Sequence, residues 1–128
     1  MKRGLLGVFI LLKLDHVNAA PGIELVKVAG EIDAHTFEEL EEFLEELMDK
    51  GHTRLVLDMT KTTYISSAGF GILVETAGQT EGETGGSLVL FGLTDAVQHV
   101  FDQMGFTPMF KITKTKDEAL AMSATKPS

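Results

Sequence analysis

Short apolar runs alternate along this chain with longer segments in which apolar residues recur every three or four positions. The short runs are typical of β-strands and predict strands at 9–14, 23–28, 54–59, 87–91 and, as a short edge strand, 110–112. The third run is almost continuously apolar, which predicts a central strand buried on both faces. The longer segments predict one-sided helices at 36–50, 67–77, 95–104 and 115–122. We therefore expect a single α/β domain with a mixed sheet of four to five strands, flanked by helices.

Turn residues and helix caps set the expected boundaries of these elements. The segment 18–22 contains Pro and Gly, so the first two strands should form an antiparallel hairpin. Thr36 and Glu39 have the spacing of a capping box, in which each side chain bonds the backbone N–H of the other residue. The segment 115–118 repeats that pattern. A polar, glycine-rich loop is predicted at 78–86.

The N-terminal segment combines two basic residues with an apolar run at 4–12, as a secretory signal does. However, Lys13 and Asp15 stand where a cleavage region is usually neutral, and the run is shorter than the roughly 20 apolar residues of a membrane helix. We expect a buried first strand rather than an exported or membrane-spanning chain. The expected boundaries are a leader or start of the first strand at 1–10, one domain over 11–122 and a flexible tail at 123–128.

Composition narrows the function classes. The chain has 128 residues, of which 44% are hydrophobic, and it has no cysteine, which excludes disulfides, thiolate metal sites and a catalytic thiol. A net charge of −8 disfavours nucleic acid as a partner. Seven acidic residues and one lysine give 36–50 a net charge of −6. The acidic face of this predicted helix either stays solvated or steers a basic partner towards the protein, and the first interpretation is the more common one.

Metal and nucleophilic chemistry have weak support. The histidines are isolated, without the i, i+4 spacing of a helical metal site, and they lie at positions 16, 35, 52 and 99. Ser67 has Ile65 rather than Gly two positions earlier, so it lacks the glycine of a nucleophile elbow. A hydrolase triad of Ser67 with His35 and Asp33 is a minor alternative. We predict no enzyme activity, no metal and no cofactor.

The segment 57–73 carries the most information. A strand leads through a few polar residues and Tyr64-Ile65 to Ser66, Ser67 and a small Ala-Gly step, and then to a helix. Serines at that place lie at a helix N-terminus, where free N–H groups and the helix dipole favour an anion. Serine is also among the best N-caps, so capping and phosphate binding both remain open, with capping favoured on physical grounds alone. Two adjacent serines allow one to cap while the other stays free.

Three motifs resemble the STAS family, specifically the anti-sigma factor antagonists. They are Gly-Glu-Ile-Asp at 30–33, Leu-Asp-Met-Thr at 57–60 and Tyr-Ile-Ser-Ser-Ala-Gly at 64–69. The resemblance extends over about 11–122 of the chain. It implies the same α/β fold and a regulatory, non-enzymatic protein of the cytoplasm.

The resemblance also implies particular site residues. In this family the serine two positions before the motif glycine is phosphorylated by a partner kinase that is itself the anti-sigma factor, and that serine is Ser67 here. The acidic residue near the phosphorylation site corresponds to Asp33. Ser66 stands where the family often has Asp, which makes Ser66 a second candidate acceptor. The expected surroundings and partner interface add His35, Thr36, Ala68, Gly69 and Phe70.

The implied function is a switch. The unphosphorylated protein binds the anti-sigma factor serine kinase and so releases a sigma factor, and a serine phosphatase reverses the modification. Alternatives are a STAS phospho-switch or scaffold with a different output, and a nucleotide- or small-molecule-binding STAS module. Weak nucleotide binding fits both the main prediction and the second alternative, because a helix N-terminus accepts any phosphate.

Overall fold

The computed structural model describes residues 12–82, 85–105 and 107–124. The strands are β1 (Leu12–Ala20), β2 (Ile23–Ile32), β3 (Arg54–Ile65), β4 (Ser87–Phe91) and β5 (Lys111–Thr113). The helices are α1 (Phe37–Asp49), α2 (Ser67–Gly82), α3 (Asp95–Met104) and α4 (Lys116–Ala124), with a short 3₁₀ turn at Thr107–Met109. The predicted leader, the start of the first strand at 9–11 and the tail at 125–128 lie outside the described residues.

The strands form one mixed sheet in the order β1-β2-β3-β4-β5. β1 and β2 are antiparallel, which confirms the predicted hairpin. The pairs β2–β3, β3–β4 and β4–β5 are parallel, and each is joined through a helix. The predicted α/β domain with a mixed sheet is therefore confirmed, with five strands.

The central strand β3 has apolar side chains on both faces of the sheet. Leu55 and Leu57 lie in the core shared with α1, α2 and α3. Val56 lies in a second core, on the opposite face, with Ala119 of α4. All three β3 residues are fully buried, which confirms the prediction for this strand. The helices thus form two layers with the sheet between them.

Several elements extend beyond their predicted ends. β2 continues to Ile32 and β3 to Ile65, whereas the sequence pattern predicts ends at 28 and 59. The polar stretch of β3 is accommodated because the buried Thr62 hydroxyl donates to the carbonyl oxygen of Val28. In α2, the Thr80 hydroxyl likewise donates to the carbonyl oxygen of Thr76, and the helix runs to Gly82 instead of 77. The predicted loop at 78–86 is correspondingly shorter.

The last helix also differs from expectation. α4 ends at Ala124, two residues after its predicted end. Ser123, which is predicted to belong to a flexible tail, is fully buried. Its carbonyl oxygen accepts a hydrogen bond from the Arg54 guanidinium, and its hydroxyl oxygen lies 3.3 Å from that of Ser87. The hydrophobic periodicity of the sequence does not predict such polar contacts between distant residues.

One predicted capping box forms and the other does not. At α4, the N–H of Glu118 donates to Thr115 Oγ1 and the N–H of Thr115 donates to Glu118 Oε1, both at 3.2 Å, which confirms that prediction. At α1 the prediction is wrong, because Thr36 makes no side-chain bond to the helix backbone. No helix in the described part of the chain is long and apolar enough to cross a membrane.

Candidate functional site

The carboxyl ends of β2 and β3 bring two of the sequence motifs together. Ile32 and Ile65 are register partners at the ends of these parallel strands. The N–H of Ser66 then donates to the carbonyl oxygen of Ile32 at 2.8 Å. The loop that begins at Asp33 and the helix start at Ser66 are therefore neighbours at one edge of the sheet.

Ser66 is the N-cap of α2. Its hydroxyl oxygen accepts from the N–H of Gly69 at 3.3 Å, and its carbonyl oxygen accepts from the N–H of Phe70 at 2.9 Å. Its side chain is only partly exposed. The capping role that the sequence leaves open thus belongs to Ser66.

Ser67 is the first residue of α2 and is exposed. Within the described residues its hydroxyl takes part in no hydrogen bond. The first turn of a helix has unpaired N–H groups and the positive end of the helix dipole, both of which favour an anion. Ser67 is therefore a free hydroxyl at a place where an added phosphate is electrostatically tolerated.

Asp33 organises the loop in front of α1. Its Oδ1 atom accepts from the N–H of His35 at 2.8 Å and from the N–H of Thr36 at 3.1 Å. The N–H of Asp33 in turn donates to Thr36 Oγ1 at 2.9 Å. In the described residues no hydrogen bond joins the His35 ring to Asp33 or to Ser67, so the contacts of a hydrolase triad are not assembled.

The predicted surroundings divide into exposed and buried residues. His35 is exposed and Ala68 is partly exposed. Thr36, Gly69 and Phe70 are buried, so they support the surface from below and do not offer side chains to a partner. Thr36 is held there because its hydroxyl donates to the carbonyl oxygen of Glu31 at 2.6 Å.

Steric contact explains why residue 69 is a glycine. A Cβ atom at this position would lie 2.3 Å from Ile32 Cγ2 and 3.1 Å from Ile65 Cγ1. The sequence allows two explanations for this glycine, close backbone approach or access for a partner's side chains. Its buried position against Ile32 supports close approach. Gly71, two residues later, has open space where its Cβ atom would lie.

Tyr64, close to the start of α2 along the chain, is an aromatic residue whose exposure the sequence pattern does not predict. The sequence pattern groups it with Ile65 as an apolar pair, but Ile65 is 1% exposed and Tyr64 is 46% exposed. Tyr64 pairs in register with Glu31, next to the start of α2. Alternation along a strand that continues to residue 65 would have predicted this outward orientation.

Two of the four histidines approach the same carboxylate, that of Glu24, away from Ser67. His16 Nδ1 lies 2.5 Å from Glu24 Oε2, and His52 Nδ1 lies 3.6 Å from Glu24 Oε1. Glu24 is only 4% exposed. The described residues contain no group of three or more potential ligands placed to hold a metal ion. No sequence spacing links residues 16, 24 and 52, so this cluster could not have been predicted.

The acidic residues of α1 lie outside its buried stripe of Leu40, Leu44 and Leu47. Among them Glu41 is partly buried beside α2. Desolvation, followed by the negative charges of Glu45, Glu75 and Glu38, raises the pKa of Glu41 above its ordinary value of 4.5. Like charges therefore crowd the junction of α1 and α2.

With this geometry in view, comparison with known families identifies the class of protein. The family model described as the STAS domain matches residues 16–119. This chain belongs to the STAS domain family.

Its relatives narrow the type. The anti-sigma-B factor antagonist of Listeria monocytogenes is 35% identical over 104 residues, which cover 81% of this chain and 84% of that protein. In fold, an anti-sigma factor antagonist from Mycobacterium paratuberculosis has a TM-score of 0.79 at 24% identity, with 89% of this chain and 95% of that chain covered.

The Bacillus cell fate determinant SpoIIAA, an anti-sigma factor antagonist, also has this fold. Its unphosphorylated form has a TM-score of 0.71 at 19% identity, with 86% of this chain and 95% of that chain covered. Its phosphorylated form has a TM-score of 0.64 at 17% identity, with 86% and 98% covered. The predicted resemblance to STAS proteins of the anti-sigma factor antagonist type is thus confirmed.

Proposed function

We propose that this chain is a cytoplasmic anti-sigma factor antagonist that is switched by phosphorylation of Ser67. In its unphosphorylated form it binds an anti-sigma factor serine kinase, and the sigma factor held by that kinase is released. Phosphorylation ends the binding, and a serine phosphatase restores it. The similarity to anti-sigma factor antagonists supports the output, and the existence of SpoIIAA in both phosphorylation states supports the kind of switch.

One observation carries the choice of residue. Ser66 and Ser67 are adjacent, but Ser66 caps α2 through its hydroxyl while Ser67 is exposed at the first helical position. A kinase can reach the Ser67 hydroxyl without disturbing a structural hydrogen bond. The Ser66 hydroxyl is instead only partly exposed and already bonded to the N–H of Gly69, so a kinase would have to displace this contact to reach it. The geometry therefore favours Ser67 over the second candidate acceptor.

In the kinase reaction, ATP supplies the phosphoryl group. The Ser67 oxygen attacks the γ-phosphorus, the bond between that phosphorus and the β–γ bridging oxygen breaks, ADP leaves and the hydroxyl proton passes to solvent or to a kinase base. The product carries a charge of about −1.5 to −2 at neutral pH. The helix N-terminus stabilises this charge in the free protein.

The same charge weakens a complex. A partner that covers Ser67 must remove water from the phosphate, and a penalty of about 3 kcal/mol lowers affinity roughly a hundredfold. No rearrangement of the fold is required. Exposed His35, in the loop that begins beside Ser66, is a side chain that such a partner would also cover.

The test uses the full chain with its partner anti-sigma factor kinase and ATP. We expect one added phosphate, assigned by peptide fragmentation to Ser67. Ser67→Ala should accept no phosphate and keep binding the kinase in the presence of ATP, and Ser66→Ala is the matched control that should still be modified. Phosphate on Ser66, or on neither serine, overturns the proposal. Saturable nucleotide binding by this chain alone would favour the nucleotide-binding alternative.

A further inference from the structure

A cavity of about 340 Å³ opens on the other face of the sheet from α1, α2 and α3. It lies above β1, β2 and β3, where Lys27 and Asp58 follow Leu25 and Val56 on the face that α4 covers further along. Ser67 begins a helix that packs on the opposite face. This cavity is therefore separate from the phosphorylation site, and its role is independent of the proposed function.

One row of the cavity floor alternates in charge, although no ion pair within 4 Å joins its members in the described residues. Asp15, Lys27 and Asp58 are register partners on three adjacent strands. Opposite charges directly across from each other on neighbouring strands stabilise the sheet. Lys27 thus has an acidic neighbour on either side.

The next row differs because it has no acidic member. Lys13, Ala29 and Lys61 are register partners on the same three strands. Two lysines therefore flank an alanine, which leaves space between them, and neither ammonium has an ion pair within 4 Å among the described residues. Two strand spacings, about 10 Å, separate their backbones, so the flexible lysine stems can converge on one ligand.

A β-bulge in β3 produces this alignment. From Lys27↔Asp58 to Ala29↔Lys61 the register advances two residues on β2 and three on β3. The Asp58 carboxylate holds the bulge, because its Oδ1 accepts from the N–H of Thr60 at 2.9 Å and from the Thr60 hydroxyl at 2.6 Å. Bulges commonly redirect a side chain next to a functional site. Here the bulge brings Lys61 level with Ala29, and both Thr60 and Lys61 line the cavity.

We propose that this cavity binds a small organic anion whose phosphate or carboxylate groups bridge Lys13 and Lys61 above Ala29. The volume lies in the range of small-molecule sites, which is about 300–1,000 Å³. The lining has three lysines and two aspartates, a local excess of positive charge in a chain of net charge −8. Since the overall charge repels anions, binding must come from this local arrangement.

The test is a titration of the isotopically labelled full chain, followed by amide chemical shifts. The probes are pyrophosphate and citrate, with potassium chloride at matched ionic strength as the blank. We expect saturable shifts centred on Ala29 and Lys61 with at least one probe. The tighter probe identifies phosphate or carboxylate as the preferred group.

Variants separate a site from general charge. The double variant Lys13→Gln, Lys61→Gln should weaken binding at least tenfold, whereas the control Lys50→Gln, Lys116→Gln removes two exposed charges elsewhere and should leave it unchanged. Ala29→Leu fills the space without changing charge and should also abolish binding, with thermal melting to confirm folding. The proposal is overturned if neither probe saturates below about 10 mM, or if the control pair weakens binding as much as the cavity pair.

Discussion

Helices α1 and α2 begin side by side at the carboxyl edge of the sheet, and they use their polar residues in opposite ways. In front of α1, Asp33 Oδ1 accepts two backbone N–H groups and the Thr36 hydroxyl bonds within the same loop. In front of α2, Ser66 alone provides the cap, and Ser67 remains exposed. The polar groups of the first start are bonded within its own loop, and the second leaves the Ser67 hydroxyl exposed at the surface.

The loop before α1 and Gly69 therefore have structural roles, whereas the exposed Ser67 does not. The loop at α1 fixes the position of the edge next to which α2 begins, since Ser66 is hydrogen-bonded to Ile32, the residue before Asp33. Gly69 then allows α2 to lie directly on Ile32. We therefore expect substitutions at the α1 start and at Gly69 to reduce stability, and substitution of Ser67 to change regulation alone.

The largest effect is expected for Gly69→Ala. Overpacking costs about 1–3 kcal/mol, and a Cβ atom 2.3 Å from Ile32 Cγ2 requires a shift of that side chain or of the helix. The intrinsic helix preference of alanine returns up to about 1 kcal/mol. We expect a net loss of up to about 2 kcal/mol in the free energy of unfolding, measured by urea denaturation.

Gly71→Ala is the matched control for that experiment. It makes the same change in the same helix, where the added Cβ atom would meet nothing within 4 Å. It should therefore stabilise the fold by about 0.5–1 kcal/mol. Equal effects of the two substitutions would show that contact with Ile32 does not explain Gly69.

The sequence predicts some parts of this site and not others. Apolar periodicity and the glycine and serine positions locate the strands and the start of α2, because those features depend on local spacing. The failed capping box at Thr36 shows the limit. Its spacing is correct, but the Thr36 hydroxyl is already bonded to the backbone of Glu31 and Asp33 and is therefore not available to cap α1. These bonds form only because β2 extends to Ile32. The division of roles between Ser66 and Ser67 likewise depends on which hydroxyl faces Gly69.

A second prediction tests the loop before α1. Thr36→Val keeps the shape of a fully buried side chain but removes the hydroxyl that bonds Glu31 and Asp33. Leaving those backbone groups unsatisfied should cost about 1–2 kcal/mol by the same denaturation measurement. Thr36→Ser, which retains the hydroxyl, is the comparison, and it should recover most of the difference between Val and wild type. A valine variant as stable as wild type would mean that the loop is not held by this hydroxyl.

The two serines should respond differently in stability. Ser66→Ala removes the N-cap and should cost about 1 kcal/mol. Ser67→Ala removes no structural hydrogen bond in the described residues and should stay within about 0.5 kcal/mol of wild type. Both are read from thermal melting of the unphosphorylated protein. The reverse order would assign the cap to Ser67 and remove the structural basis for treating it as the free hydroxyl.

The smallest effect concerns the acidic junction of α1 and α2. The pKa of Glu41 is raised, so the folded protein binds this proton more tightly than the unfolded chain does, and the contribution of Glu41 to stability should increase as pH falls through the raised value towards 4.5. At neutral pH Glu41 is charged beside Glu45, Glu75 and Glu38, and Glu41→Gln should therefore raise the melting temperature slightly. The gain should disappear at pH below 4.5, where the native carboxyl is also neutral. Glu42→Gln, an equal charge change at an exposed position of the same helix, is the control and should shift the melting temperature less. If both variants gain equally at neutral pH, the effect reflects the net charge of the chain and not the proximity of Glu41 to its acidic neighbours.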